Sequence, residues 1–326
     1  MRDTYRRDIN YLRVSVTDKC NLRCVYCMPS EGIKDNPHED ILRLEEFETI
    51  IKAAVLVGIK KVRLTGGEPL VRRGLEDLIS RISSIPEIED ITLTTNGLLL
   101  PARVKALKEA GVNRVNISLD TLRNDRYREL TRGGELSSAW KGIQSALDAG
   151  LHPVKLNTVV IRDFNDDEVA TMARLTLNRP LHIRFIELMP IGSSITWSAG
   201  RFVPAAEIID QLNRKVGQLS PVGAPCGSGP AKYYRFKDAA GTVGFITSMS
   251  DHFCESCNRL RLTASGGLRP CLYDEREVDL KTPLREGAET REIAELFMDA
   301  ISLKPERHHM LEGWKDKHRS MSQIGG

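Results

Sequence analysis

Between residue 11 and about residue 190 the chain alternates between two hydrophobic patterns. Runs rich in Val, Ile, Leu and Thr read as strands: Tyr11–Val16, Lys61–Leu64, Ile91–Thr94, Arg114–Leu119, Pro153–Val160 and His182–Glu187. Between them, apolar residues recur at helical spacing. In LEEFETIIKAAVLVG (44–58), Phe47, Ile50, Ile51, Ala54 and Val55 share one face, and Gly58 can end the helix. Pro101–Ala110 followed by Gly111 has proline in the first turn and glycine just past the last. Ser137–Ala149 followed by Gly150 is a third helix with glycine just past its end. Six strand–helix units in succession predict a parallel sheet with right-handed crossovers. A closed barrel of this kind takes eight units, so six predict either an open sheet or a barrel with a missing wedge.

Past residue 190 the pattern changes. PIGSSITWSAG reads as a loop, Pro204–Arg214 as a short helix, and VGAPCGSGPAK as a Gly/Pro-rich connection. Short strands are expected at Tyr233–Phe236 and Thr242–Thr247, with a hairpin pairing Leu260–Thr263 and Leu268–Pro270 around Ser265-Gly266-Gly267. A helix near Glu289–Ala300 precedes a polar tail ending in Gly325-Gly326. The expected division is an α/β body over 1–190 and a smaller C-terminal module over 191–326.

With 41% apolar and 28% charged residues, the composition is that of a soluble globular protein. No apolar run approaches the length of a membrane span, and the opening MRDTYRRDINYLRV has no apolar signal core, so a cytoplasmic protein is expected. A formal charge of +3 is too small to argue for nucleic acid, but it permits local basic pockets for a phosphorylated ligand. Seven cysteines, expected to be reduced, point to metal or redox chemistry rather than disulfides.

In parallel α/β folds ligands bind at the C-terminal strand ends. Here those ends read Cys20–Cys27, Gly66-Gly67-Glu68-Pro69, Thr94-Thr95-Asn96-Gly97, Ser118-Leu119-Asp120, Lys155 with Asn157, and Glu187-Leu188-Met189-Pro190. All are polar or glycine-rich and would face one mouth. Three thiolates at Cys20, Cys24 and Cys27 can hold three irons of a four-iron cluster and leave the fourth open to a small molecule; zinc or a redox pair is the alternative. Cys254, Cys257 and Cys271 form a second set. Taken alone it suits zinc, with His252 as a fourth ligand. Beside it, strand alternation puts Arg259 and Arg261 on one face, a pairing suited to phosphate. That favours a second cluster at a substrate site. The chain has no GxxxxGK[ST] phosphate loop.

The CxxxCxxC loop followed by Gly-Gly-Glu-Pro resembles the radical S-adenosylmethionine (SAM) superfamily. More narrowly, DKCNLRCVYCMP, RLTGGEPLVRR, LTTNG, NISLD, FIELMPIG, CNRLRLT and the terminal Gly-Gly resemble the GTP 3′,8-cyclases of molybdenum cofactor biosynthesis, over essentially the whole chain. The resemblance implies an incomplete (β/α)6 TIM-like barrel with two [4Fe-4S] clusters at opposite ends. Cys20, Cys24 and Cys27 would hold one; Cys254, Cys257 and Cys271 the other. Tyr26, Gly67, Glu68, Ser118 and Met189 would form the SAM site. Arg13, Arg63, Thr94, Lys155, Arg184, Arg259 and Arg261 would surround GTP, with Lys155, Arg259 and Arg261 catalytic. The Gly-Gly tail would enter the site. Cys226 has no assigned role, and His308 and His309 are expected to face solvent.

The implied reaction is reductive cleavage of SAM, hydrogen abstraction from C3′ of GTP and attack on C8 of guanine, giving (8S)-3′,8-cyclo-7,8-dihydroguanosine 5′-triphosphate. Implied partners are a flavodoxin- or ferredoxin-type electron donor and, functionally, the next pathway enzyme (cyclic pyranopterin monophosphate synthase); a homodimer is possible, and neither nucleic acid nor membrane is expected. The rivals are another two-cluster radical SAM enzyme, for example a peptide-modifying one, and a non-catalytic zinc-binding module.

Overall fold

The structure is a computed structural model describing residues 1–33, 37–191, 200–227, 229–310 and 319–325. Most of the expected loop at 190–200, and the final Gly326, lie outside the described residues.

All six expected strands form, within a residue or so of their expected ends: β1 (Tyr11–Ser15), β2 (Lys61–Thr65), β3 (Asp90–Thr95), β4 (Arg114–Ser118), β5 (Val154–Val160) and β6 (Leu181–Glu187). The helices between them include α1 (Leu44–Leu56), α2 (Leu75–Ser83), α3 (Leu100–Ala110), α4 (Asn124–Thr131), α5 (Leu136–Asp148) and α6 (Val169–Asn178). Local chemistry explains their limits. Glu46 accepts from the Arg43 amide at 2.7 Å and so caps the start of α1. Gly111 ends α3 in the left-handed conformation at φ 115°.

The C-terminal segment adds α7 (Ala205–Lys215), β7 (Ser220–Val222), β8 (Lys232–Arg235), β9 (Thr242–Ile246), β10 (Arg259–Leu262), β11 (Gly267–Arg269), β12 (Val278–Asp279), α8 (Lys281–Arg285) and α9 (Thr290–Ser302). Its strands do not form a sheet of their own. β9 pairs in parallel with β6, and β10 in parallel with β1. The parallel run is therefore β10-β1-β2-β3-β4-β5-β6-β9, flanked by the antiparallel strands β11-β12 at one edge and β8-β7 at the other. The two missing strand positions of the expected six-unit barrel are supplied from beyond residue 190. The sheet remains open: β9 and β10 end the parallel run on opposite sides, and the 247–258 connection crosses between them.

Strand registers sort the two faces. Arg261, Arg13 and Arg63 lie side by side, with Thr92 next to Arg63. Thr94, Asn116, Lys155, His182 and Thr242 make a second row. Period-two alternation puts these polar side chains on the concave face. The intervening Leu12, Val14, Val62, Leu64, Ile91, Leu93, Val115, Ile117, Leu156 and Ile183 are buried in the core cluster that the helices cover. The barrel's hydrophobic core is thus its outer layer, and its interior is polar.

Candidate active site

Both cysteine sets open onto one cavity. Cys20, Cys24, Cys27, Cys254, Cys257 and Cys271 line it together with Tyr26, Gly67, Thr94, Ser118, Asn157 and Met189. The first set follows the C-terminal end of β1. The second lies at the other end of the sheet, because Tyr11, the first residue of β1, pairs with Arg259 two positions after Cys257.

The loop after β2 packs on the first cysteine loop as a short extra ladder: the Gly67 amide donates to Thr17 O at 2.8 Å, and the Glu68 amide to Lys19 O at 2.9 Å. A Cβ on Gly67 would lie 2.4 Å from Lys19 O, so glycine is required for this approach. Burial and the neighbouring Cys27, Asp120 and Cys20 push the Cys24 thiol well above its usual range. Burial pushes Cys27 up to about 12. Tyr26 donates to Asp120 Oδ2 at 2.8 Å, while Val159 N donates to Asp120 Oδ1 at 2.7 Å. Burial raises Asp120 to about 6. The site is crowded with groups that resist becoming anionic, which suits a cationic metal cluster drawing out the thiolates. Among the described residues, no three His, Cys, Asp or Glu side chains converge on a point that one metal ion would fill.

Glu68 does not line the cavity. It is 1% exposed, and its carboxylate accepts from Leu70 N at 3.0 Å, Thr95 Oγ1 at 2.7 Å and Asn96 N at 2.7 Å. Its side chain ties the β2 and β3 loops together, while the backbone of Gly66 and Gly67 faces the cavity. Burial raises Glu68 to about 7 against those three hydrogen bonds. A carboxyl raised on folding contributes stability at acid pH that is lost as pH rises through about 7. Glu68→Gln is expected to remove that slope in urea unfolding of the apo-protein between about pH 5 and 8. It should also cost about 1–3 kcal/mol, because an amide NH2 would meet one of the three donors. An unchanged slope would rule this out.

The far half of the cavity is cationic. Arg13, Arg63, Arg184, Arg259 and Arg261 all line it. They contact carbonyls, an amide, rings and sulfur. Arg63 stacks 5.3 Å from the Tyr11 ring, and its Nε has no hydrogen-bond partner among the described residues. Arg184 donates to Asn116 Oδ1 at 2.7 Å, and its Nε likewise has no partner among the described residues. Arg259 lies 4.9 Å over the Phe253 ring and 3.9 Å from Cys257 Sγ. Burial lowers Arg184 and Arg261 to about 10 each. Burial disfavours the Arg259 charge too, but the adjacent Cys257 thiolate more than offsets this. At Cys257 burial favours the thiol, yet Arg259 and Lys304 bring it down to about 6. So many buried guanidiniums mark a site for a polyanion.

The C-terminal tail reaches this wall. Gly325 O accepts from Arg13 Nη2 at 2.8 Å and from Arg261 Nη1 at 3.1 Å, and Ile324 O accepts from Arg261 at 3.1 Å. Lys155 lies on the same interior face but does not line the cavity. It donates to the carbonyl of Cys226, and burial with Arg184, Arg114 and Arg63 lowers it to about 7. Cys226, which had no assigned role, sits 3.1 Å from Arg114 Nη1.

His308 corrects an expectation. It is buried rather than solvent-facing, bonds Ser248 O at 2.9 Å, stacks edge-on against His252 at 5.2 Å and lines the cavity; His309 is exposed as expected. Sequence reasoning also missed Lys304, Asp120 as the partner of Tyr26, and Asn116. Asn116 was detectable from strand alternation; Lys304 carried no signal.

A radical SAM superfamily model matches residues 14–176, and a molybdenum cofactor synthesis C-terminal model matches residues 181–310. Fold and cysteine loop together define a radical SAM enzyme. A GTP 3′,8-cyclase of Pelotomaculum thermopropionicum is 74% identical over 326 residues, covering 100% of both chains. Those of Desulforamulus reducens and Moorella thermoacetica are each 56% identical, also over 100% of both chains. The chain belongs to the GTP 3′,8-cyclase family. Among solved structures, Streptococcus suis SuiB bound to S-adenosylmethionine superposes with TM-score 0.61 at 15% identity, covering 88% of this chain and 68% of that one. SuiB bound to its precursor peptide SuiA gives 0.60 at 15% identity, covering 81% of this chain and 60% of that one. At this identity the likeness shows the shared partial-barrel fold. No helix among the described residues is long and apolar enough to cross a membrane.

Proposed function

We propose that the protein converts GTP to (8S)-3′,8-cyclo-7,8-dihydroguanosine 5′-triphosphate, an early step of molybdenum cofactor biosynthesis. The observation that carries this reading is a single cavity with an open three-thiol loop at one end and a buried guanidinium wall beside a second three-thiol set at the other. Cys20, Cys24 and Cys27 would hold one [4Fe-4S] cluster; Cys254, Cys257 and Cys271 would hold another. With SAM bound, the first cluster supplies one-electron chemistry able to remove a hydrogen atom from an unactivated carbon.

The protein's own part is placement. The Gly67 backbone lets the SAM-binding loop come close to the cysteines. Tyr26, fixed by Asp120, sits with Ser118 and Met189 along the cofactor end. Arg13, Arg63, Arg184, Arg259 and Arg261 would fold around the triphosphate and turn the ribose toward the cofactor. Thr94 lines the same cavity, and Lys155, lowered to about 7, would gain a proton as phosphate charge approaches. Glu68 acts by holding loops rather than by touching SAM. The peptide-modifying alternative has no use for so many buried cations, and a zinc module none for the glycine ladder.

The test is anaerobic reconstitution with iron and sulfide counts, followed by turnover with dithionite, SAM and GTP. The expected result is about eight irons and eight sulfides per chain, with 5′-deoxyadenosine formed only when GTP is present. About four irons and GTP-independent cleavage would overturn the assignment of the second site and of the substrate.

A further inference from the structure

Lys304 follows the last turn of α9 and is 3% exposed. Its Nζ donates to Arg259 O at 2.8 Å, to Pro270 O at 2.8 Å and to Cys257 Sγ at 3.5 Å. An ammonium has three protons, and all three are committed. Lys304 therefore has none to offer a bound substrate, although it borders the cavity. Its three acceptors join separate parts of the second cysteine set: Cys257 and Arg259, where β10 begins, and Pro270, the residue before Cys271. Arg7 makes a second tie, between Cys254 and the residues that follow Lys304. Its guanidinium donates to Cys254 O at 2.9 Å and to Glu306 O at 3.0 Å, and it pairs with Asp3 at 2.6 Å. Arg7 touches only a backbone oxygen of the set, whereas Lys304 touches a ligand sulfur.

We propose that Lys304 is a positioning residue that braces the second cysteine set and raises the reduction potential of the iron–sulfur cluster held there. The inference rests on the reading that Cys254, Cys257 and Cys271 hold such a cluster. One-electron reduction places an extra negative charge on the cluster and its thiolates. A buried cation donating to a ligand sulfur stabilises the reduced form more than the oxidised one. The electron comes from the external reductant, and no proton need move. Arg259, also near Cys257 Sγ, faces the cavity and remains available to the substrate; Lys304 serves the cluster alone.

The test uses the full-length chain carrying Cys20→Ser, Cys24→Ser and Cys27→Ser, so that only the second cluster is present. Iron is counted, and the midpoint potential is read by dithionite titration with redox mediators, followed by electron paramagnetic resonance. With Lys304 intact, about four irons are expected. Lys304→Arg should stay near the parent potential. Lys304→Met should keep its iron and titrate at a lower potential, with Lys304→Gln between the two. Full iron with an unmoved potential in both Met and Gln variants would overturn the proposal. Loss of iron from both would also overturn the tuning role, leaving only a brace. Absence of iron from the parent would instead strike the cluster reading beneath it.

Discussion

Cys24→Ser is expected to lower bound iron from about eight atoms per chain to about four and to abolish GTP-dependent formation of 5′-deoxyadenosine. Cys24 is the middle thiol of the first set, with a sulfur neighbour on each side and Asp120 nearby. Without a cluster these groups suppress one another's ionisation. With one, the iron charge reverses the balance, so each thiolate is worth more to the cluster than to the empty loop. Serine retains the size but not the soft sulfur donor. The second set, at the other end of the cavity, should keep its own iron. Iron analysis and chromatography of the reaction mixture decide the matter; a variant that retains all its iron, or still forms 5′-deoxyadenosine, would falsify the assignment.

The second large effect is expected at Arg261. Arg261→Leu should raise KM for GTP by roughly 10²–10³-fold, corresponding to about 3–4 kcal/mol for removing one partner of a buried charge contact. SAM affinity should change little. Arg261 lies beside Arg13 in the sheet and shares Gly325 O with it. Losing it leaves the tail held by Arg13 alone and thins the cationic wall. Arg261→Lys should recover only part of the loss, because an ammonium cannot reproduce the two-pronged donor. Equilibrium binding of GTP and of SAM, measured separately, tests this. Equal losses for both ligands, or none for GTP, would exclude the assigned role.

The six β/α units were legible because each combines a strand of Val, Ile and Leu with a helix bounded by Pro or Gly, and both signals are local. Alternation also placed Arg259 and Arg261 on one face. The final pairing was not legible: nothing near Thr242 or Arg259 announces that those strands join β6 and β1. Register across such a distance is a tertiary outcome. Glu68 shows a similar limit. Its motif marks the loop that approaches the cofactor, but motif membership does not reveal that the side chain turns inward while the glycine backbone faces the site. His308 and Lys304 lie in a charged segment that looks like surface. Only packing against the 247–271 region buries them.

The placement of β10 beside β1 also has a consequence for chain synthesis. Residues 11 and 259 are sheet neighbours, so the free edge of β1 waits for most of the polypeptide to emerge. At roughly 5–20 residues per second, that wait lasts roughly 10–50 s. Throughout it the first cysteine loop is already made, while the strand and second cysteine set that complete the cavity are not. Cys20, Cys24 and Cys27 therefore leave the ribosome long before the strand that closes the edge of the sheet beside them.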